Sequence, residues 1–307
     1  MRFSHSNQGI DSGRPPVHSQ RGDRAKSAKL RLAVLGVAVA LLTTGCNETV
    51  ARGWLPEGAT EHTDRITNLW VGSWIAALIV GVLVWGLVIW CIIVYRKRKG
   101  DEQLPVQLRY HIPLEILYTA VPILAISVLF YFTARDQNVI TAVDRDPDVV
   151  VNVVGKQWSW DFNYVTDDVW DAGIHGYLDE GVDGTEAELP TLYLPVDELV
   201  EFRLDSRDVI HSFWVPAFLY KLDMFPNHTN VFQVTPTKVG QYAGKCAELC
   251  GDYHSAMLFN LEIVERDVYD AKMQELRDAG QDGQLGPEMN RLQSNEQIWR
   301  TKMEQGE

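Results

Sequence analysis

The sequence has few cysteines and fewer basic than acidic residues. Its 307 residues include four cysteines, and 28 lysines and arginines stand against 41 acidic residues, a formal net charge of −13. It contains no Cys-Xaa-Xaa-Cys-His motif, which excludes a covalent c-type haem on this chain. The acidic excess argues against nucleic acid as a partner, because such binding needs a basic surface.

Charged residues are absent from Leu69 to Tyr95. A stretch of that length predicts a transmembrane helix, and the basic run Arg96–Lys99 after it places this end in the cytoplasm. A second apolar stretch, Ile116–Thr133, predicts a return span. Neither span contains histidine, so neither can ligate haem in the membrane. We expect a hairpin over residues 69–134 in the bacterial cell membrane, with the rest of the chain on the outer face.

The N-terminal region resembles a secretory signal. Basic residues precede an apolar run from Leu32 to Leu42, which is too short to span a bilayer. The following Thr43-Thr-Gly-Cys46 resembles a bacterial lipoprotein cleavage site. We expect a signal peptide at residues 1–45, a lipid on Cys46 and an external segment at residues 46–68. Because Thr43 stands where an aliphatic residue is usual, plain signal cleavage with an unmodified Cys46 is the alternative.

The region after the spans predicts a domain of short strands. Val149–Val154 is rich in β-branched residues, and aromatic and polar residues alternate from Trp158 to Tyr164, which is the period of a strand. Leu199–Leu204, Thr229–Thr235 and Met257–Val264 are similar. Many short strands separated by turns predict an all-β sandwich or barrel.

Two segments differ from these strands. Eight acidic residues and no basic residue lie between Thr166 and Leu189, which predicts a solvated surface loop; a docking surface for a donor or a neighbouring subunit is the alternative. The composition of residues 266–307 predicts a helical tail with helices at about 267–278 and 287–303. Because such short helices are marginal alone, we expect them to pack against a partner or the β-domain.

The segment from Cys246 to Met257 has the strongest chemical signal. It contains the thiols of Cys246 and Cys250, the His254 imidazole and the Met257 thioether, and His211 lies upstream. Sulfur with imidazole favours copper over harder cations, and two cysteines allow both sulfurs to bridge two copper ions. Structural zinc and a disulfide between the two cysteines are alternatives, but structural zinc has no use for a thioether. Flanking glycines predict a loop between strands.

These motifs resemble those of cytochrome c oxidase subunit II and its dinuclear copper centre, CuA. The resemblance covers about residues 66–264 and rests on the paired spans, on the run that begins His211-Ser-Phe-Trp, on Gly244 to Met257 and on Gln157-Trp-Ser-Trp160. It implies a cupredoxin-like Greek-key β-barrel over residues 135–265. The expected fold is therefore a membrane-anchored all-β protein with a two-helix transmembrane hairpin and a C-terminal helical tail.

The resemblance also implies the copper ligands, which are His211, Cys246, Glu248, Cys250, His254 and Met257. The two cysteines would bridge both copper ions. His211 and Met257 would complete one ion, and His254 with the main-chain carbonyl of Glu248 the other. The Glu248 carboxylate would then be free to face a magnesium ion shared with subunit I.

Three further positions have expected roles. Trp158 matches the electron-entry tryptophan of the family as an exposed indole, whereas the other aromatic residues of its strand are expected in the core. Glu115 would lie at the entrance of a proton pathway into subunit I, or else be an ordinary interfacial carboxylate. His228 stands where relatives typically have an arginine; it supplies a charge only when protonated, and a solvent-facing or buried imidazole is the alternative.

The expected function is electron entry into a cytochrome c oxidase. Electrons would pass singly from cytochrome c, or from a membrane-bound c-type cytochrome, through copper to haem in subunit I. Oxygen reduction and proton pumping would occur there, with further oxidase subunits as partners. Nitrous oxide reductase has a similar copper domain within a much larger soluble chain, and quinol oxidase subunit II lacks the copper ligands. A zinc-stabilised lipoprotein binding module would leave Met257 unexplained.

Overall fold

The computed structural model describes residues 48–98, 100, 107–173 and 189–285. The expected signal peptide, Cys46, most of the acidic segment and the second tail helix lie outside these residues. A one-turn helix, α1 (Glu48–Ala51), belongs to a separate N-terminal unit, and the elements after it form the second unit, which begins at Arg52.

Two long apolar helices precede the β-domain. Helix α2 (Thr63–Val94) has 32 residues and helix α3 (Ile112–Ile140) has 29, and both are long and apolar enough to cross a membrane. The two apolar helices predicted from the sequence are therefore present. α2 begins before the predicted span, and α3 extends beyond its span at both ends.

Ion pairs and main-chain hydrogen bonds connect the ends of these helices to each other and to the β-domain. The buried carboxylate of Asp136 in α3 lies 2.9 Å from the Arg65 guanidinium of α2. Just before α2, Glu61 donates its main-chain N–H to the Thr235 carbonyl and pairs with Arg145 at 2.7 Å. The β-domain is thus attached to the hairpin at more than one point.

The β-domain is a sandwich of two five-stranded sheets. In chain order the strands are β1 (Val149–Lys156), β2 (Ser159–Tyr164), β3 (Val169–Ala172), β4 (Thr191–Pro195), β5 (Val200–Ser206), β6 (His211–Val215), β7 (Tyr220–Met224), β8 (Asn230–Val234), β9 (Gly240–Cys246) and β10 (Leu258–Val264). One sheet has the order β3-β2-β1-β5-β8 and the other β4-β10-β9-β6-β7. Neighbours are antiparallel except the pairs β1–β5 and β4–β10. This is the cupredoxin-like all-β fold expected from the sequence.

Aromatic rings fill the space between the sheets. Trp160 of β2 meets the Phe259 ring of β10 edge-on at a centroid distance of 5.2 Å, and Phe259 stacks on Phe213 of β6 at 5.2 Å. Trp160, with Phe162 and Tyr164, is fully buried, as predicted. A Cβ atom at Gly244 would lie 2.0 Å from the Phe259 ring, so only glycine lets β9 approach this core.

The polar residues of β2 are also buried, which the alternating sequence pattern did not predict. Asp161 lies between Lys156 Nζ at 2.6 Å and the Arg207 guanidinium at 3.0 Å, and all three side chains are at most 2% exposed. The Asn163 amide bonds both the N–H and the carbonyl of Leu285. A buried ion cluster and the C-terminal segment therefore cover this face of the sheet.

The acidic segment and the tail both contribute to the β-domain. The prediction of a loop from Thr166 onward was wrong for Val169–Ala172, which form β3, because their main chain pairs with β2. Helix α4 (Arg266–Asp278) agrees with the first predicted tail helix. Of the two expected arrangements, the structure has the helix packed on the β-domain, since its Tyr269 is buried and donates a hydrogen bond to Asp167 at 2.7 Å.

Replacing Asp161 by Asn should strongly destabilise the protein. The change removes the negative charge that lies between two buried cations, and breaking a buried ion pair costs about 3–5 kcal/mol. Thermal unfolding of the full chain in detergent, followed by circular dichroism, measures the effect. As a control, Asp278→Asn changes an exposed carboxylate and should alter stability by less than about 0.5 kcal/mol. Equal melting temperatures for the two variants would contradict a structural role of the ion cluster.

Candidate metal centre

Two cysteines and a methionine lie on the loop between β9 and β10, residues 246–257, here named the ligand loop. β9 ends at Cys246 and β10 begins at Leu258. The Cys246 N–H donates to the Met257 carbonyl at 3.0 Å and closes the base of the loop. Cys246, Cys250 and Met257 are all at most 5% exposed. The predicted position of this segment, between strands, is confirmed.

The two thiol sulfurs form the middle of a cluster of donor atoms. Cys246 Sγ and Cys250 Sγ are 3.8 Å apart, and both cysteines are free of disulfide bonds. His211 Nδ1 lies 3.8 Å from the Cys246 sulfur, and His254 Nδ1 lies 3.5 Å from the Cys250 sulfur. Each sulfur therefore has its own imidazole nitrogen.

A weaker donor lies beside each sulfur. The main-chain oxygen of Glu248 is 3.2 Å from the Cys246 sulfur, and the thioether sulfur of Met257 is 3.8 Å from the Cys250 sulfur. The structure thus brings together all six residues that the sequence indicated as ligands. Two thiols, two imidazoles, a thioether and a carbonyl make a soft donor set that fits copper.

His211 is held from both sides. Its Nε2 atom lies 2.8 Å from Asp208 Oδ1, on the side of the ring away from Cys246. A Cβ atom at Gly155 would lie 3.0 Å from the imidazole, so the ring packs directly on the main chain of β1. Metal-binding histidines commonly bond a carboxylate through their second nitrogen. Sequence reasoning missed Asp208, although an aspartate three residues before a proposed histidine ligand was a usable signal.

The sulfurs influence each other's ionisation. The hydrogen bond with Cys250 lowers the pKa of Cys246 to about 3, although burial opposes this shift. The same contact, together with burial, raises the pKa of the Cys250 thiol. Burial alone would lower the pKa of His211, but its hydrogen bonds with Asp208 and Cys246 raise it. The contact between the sulfurs thus favours a thiolate at Cys246, and a thiolate is the form of cysteine that binds metals.

Trp158 lies between β1 and β2, where its indole covers the ligand loop. The indole meets the Tyr253 ring edge-on at a centroid distance of 4.9 Å. Gly251 has a φ angle of +125°, and a Cβ atom there would lie 3.0 Å from the indole. The glycine thus permits both the turn and the close contact. Because the ligand loop covers one side, the indole is half-buried rather than exposed as expected.

Two other predicted positions lie outside the cluster. Glu115 is in the first turn of α3, where Oε1 accepts the His111 N–H at 2.9 Å. His228 is exposed in the turn between β7 and β8, near the Phe225 ring. The exposure of His228 excludes the buried alternative. Cys91 lies on the exposed surface of α2.

Fold and site together define a membrane-anchored, cupredoxin-like protein with a candidate copper site. Residues 149–264 match the sequence profile of the family described as cytochrome C oxidase subunit II, periplasmic domain. The chain is 44% identical to the probable cytochrome c oxidase subunit 2 of Streptomyces coelicolor, over 87% of this chain and 93% of that protein. It is 37% identical to the cytochrome c oxidase subunit 2 of Mycobacterium bovis, over 83% and 85%. The chain therefore belongs to the cytochrome c oxidase subunit II family.

A structural comparison gives a partial match. The crystal structure of the periplasmic domain of cytochrome oxidase subunit II from Bradyrhizobium japonicum matches 44% of this chain and 96% of that chain, with 25% sequence identity and a TM-score of 0.39.

Proposed function

We propose that this protein is the electron-entry subunit of a cytochrome c oxidase and that its ligand cluster holds a dinuclear copper centre. The observation that carries this proposal is the pair of buried sulfurs, 3.8 Å apart, each beside its own imidazole nitrogen. The additional thioether and carbonyl donors favour copper over structural zinc, which is usually complete with four cysteine or histidine ligands.

Each residue of the cluster has a proposed role in binding the metal. Cys246 and Cys250 would hold both ions through their sulfurs, His211 and Met257 would hold one of them, and His254 with the Glu248 carbonyl would hold the other. A copper pair bound by these residues would supply one-electron redox chemistry between a ferrous donor haem, which becomes ferric, and the haem of subunit I. β6 and β9 would hold His211 and Cys246, and the closed ligand loop would hold the other four donors, in similar positions in both redox states.

We assign electron entry to Trp158. Its half-buried indole touches the ligand loop near Gly251 and Tyr253, which makes it a short route from the surface to the metal. The donor is cytochrome c or a membrane-bound c-type cytochrome. The net charge of −13 would attract a donor with positive charge around its haem edge. The acidic segment at about 166–189 is a candidate for this encounter.

The remaining assignments concern the membrane and subunit I. The two apolar helices anchor the protein in the bacterial cell membrane with the copper domain on the outer face, because the basic run after α2 favours the cytoplasm. Residues 1–45 serve as a signal peptide, and Cys46 carries a lipid. The Glu248 carboxylate faces a magnesium ion shared with subunit I, and Glu115 lies at the entrance of a proton pathway into that subunit.

Copper-loaded, full-length protein should contain two copper ions and be purple, with an electron paramagnetic resonance spectrum of one electron shared by both ions. Cys246→Ser or Cys250→Ser should abolish that spectrum, because a bridging sulfur is lost. Met257→Leu should keep both ions and shift the spectrum, because a thioether is a weak axial ligand. Cys91→Ser is the control and should behave as the unaltered protein. A colourless protein with stoichiometric zinc after expression in copper-rich medium would refute the copper assignment.

Trp158→Gln should slow copper reduction by reduced cytochrome c about tenfold or more, which corresponds to at least about 1.4 kcal/mol of activation free energy. Stopped-flow absorption at saturating donor measures the transfer step. Copper content and donor affinity should stay nearly unchanged, and added salt should slow only the association. Trp54→Gln, at a tryptophan that is 75% exposed, should have no effect. Normal reduction kinetics in the Trp158 variant would mean that electrons enter elsewhere.

Glu115→Gln should lower oxygen turnover of the assembled oxidase without slowing copper reduction. The glutamine oxygen can still accept the His111 N–H, so the helix end is retained while the proton-exchanging group is lost. Turnover measured across a range of pH, beside stopped-flow copper reduction, separates the two effects. Unchanged turnover at every pH would leave Glu115 as an interfacial carboxylate that caps α3.

A further inference from the structure

We propose that Gln157 and Asp208 form a hydrogen-bonded bridge that positions Trp158 on the metal centre and couples the two electronically. This inference rests on the proposed role of Trp158 in electron entry. It assigns a function to two residues that are not themselves metal ligands.

Gln157, the residue before Trp158, makes two hydrogen bonds to segments that are distant in sequence. Its side-chain amide donates to the Cys250 carbonyl at 2.7 Å. Its main-chain N–H donates to Asp208 Oδ2, also at 2.7 Å. The first bond thus reaches Cys250, which supplies one of the two central sulfurs. The second reaches the carboxylate of Asp208, which also contacts His211.

Asp208 completes the second branch of the bridge. While Oδ2 accepts from Gln157, Oδ1 lies 2.8 Å from His211 Nε2 and also accepts the Val209 N–H at 2.7 Å. The carboxylate side chain is only 20% exposed. A carboxylate with both oxygens engaged in this way has little freedom to rotate, so it holds the imidazole and the main chain of the β1–β2 hairpin, at Gln157, in one fixed arrangement.

The buried ion cluster supports both ends of the bridge. Lys156 directly precedes Gln157, and Arg207 directly precedes Asp208. Both cations contact the same Asp161 carboxylate, at 2.6 Å and 3.0 Å, and the Arg207 N–H donates to the Gly155 carbonyl at 3.0 Å. The β1–β2 hairpin carries Gln157, and the turn between β5 and β6 carries Asp208. The ion cluster therefore joins these two segments at the residues next to Gln157 and Asp208.

This arrangement matters for electron transfer because an electron tunnels more readily along covalent and hydrogen bonds than through space between groups that are not bonded. One route leads from Trp158 through the Gln157 amide and the Cys250 carbonyl to the Cys250 sulfur. The other leads through the Gln157 main chain and Asp208 to His211. A single electron moves from the ferrous donor haem, which becomes ferric, to the copper pair, and no proton or covalent bond is exchanged.

The test uses the intact, copper-loaded oxidase with Gln157→Met, Asp208→Asn and the double variant. Methionine keeps the length of the side chain but cannot donate to the Cys250 carbonyl. Asparagine cannot accept from the donors on both of its sides, because its NH₂ group would face one of them. We measure copper reduction at saturating donor, copper content, the electron paramagnetic resonance spectrum and the reduction potential.

Each single variant should slow copper reduction about tenfold, the lower end of the effect for outer partners of metal ligands, and the double variant should be slower than either. Copper content should be unchanged. Asp208→Asn should also shift the spectrum and the potential, because it alters the hydrogen bond of His211, whereas Gln157→Met should leave both nearly unchanged. Gln241→Met and Asp278→Asn are the matched controls on β9 and α4 and should reduce at the normal rate.

Trp158→Gln, measured in parallel, separates the two proposals. If it slows reduction while Gln157→Met and Asp208→Asn react normally with full copper content, the bridge is overturned and entry at Trp158 stands. If Gln157→Met loses copper, the residue has only a structural role and the bridge is also overturned. If the copper of the Trp158→Gln variant is itself reduced at the normal rate, electrons do not enter at Trp158, and the proposed role of the bridge is overturned as well.

Discussion

The contact between the sulfurs of Cys246 and Cys250 is the interaction on which the site depends. Two thiols 3.8 Å apart cannot both ionise easily, because two thiolates would repel each other. A bound cation offsets that repulsion, so metal binding should release protons from the thiols. The surrounding protein must hold the sulfurs in place in both situations. It does so by placing Cys246 at the end of β9 and closing the ligand loop on β10 through the Met257 carbonyl.

The rest of the β-domain aligns other groups with these sulfurs. β6 supplies His211 from the same sheet, and β1 supports its ring through Gly155. The β1–β2 hairpin extends over the ligand loop and brings Trp158 onto Gly251. The ion cluster of Lys156, Asp161 and Arg207 lies behind that hairpin. Its polar groups are buried, whereas the polar face of an isolated β-sheet would be exposed to solvent. The cluster's net positive charge is buried beneath Gln157 and Asp208, the residues that connect Trp158 to the donor cluster.

The apolar helices and most strands could be predicted from local signals, namely the length of apolar stretches and the alternation of residues. The six-residue donor cluster and the cupredoxin-like topology were predicted from the resemblance of His211 and the run from Cys246 to Met257 to a known family. Asp208 and Gln157 could not be identified as a pair, since their contact joins segments 51 residues apart. β3 was missed because its acidic neighbours indicated solvent, whereas main-chain pairing with β2 and contact with α4 decided its structure. The burial of Asp161 likewise depends on Arg207, and the alternation of residues within β2 gives no information about a partner that lies so far away in the sequence.

X-ray absorption at the copper edge of the copper-loaded, full-length protein tests the central claim most directly. The account predicts that each copper ion has two sulfur neighbours, at least one nitrogen neighbour and a second copper ion in direct proximity. Replacing Cys250 by Ser should remove both the second sulfur and the copper neighbour. A spectrum with one sulfur neighbour and no nearby metal would show a mononuclear site and contradict the assignment of both sulfurs as bridges.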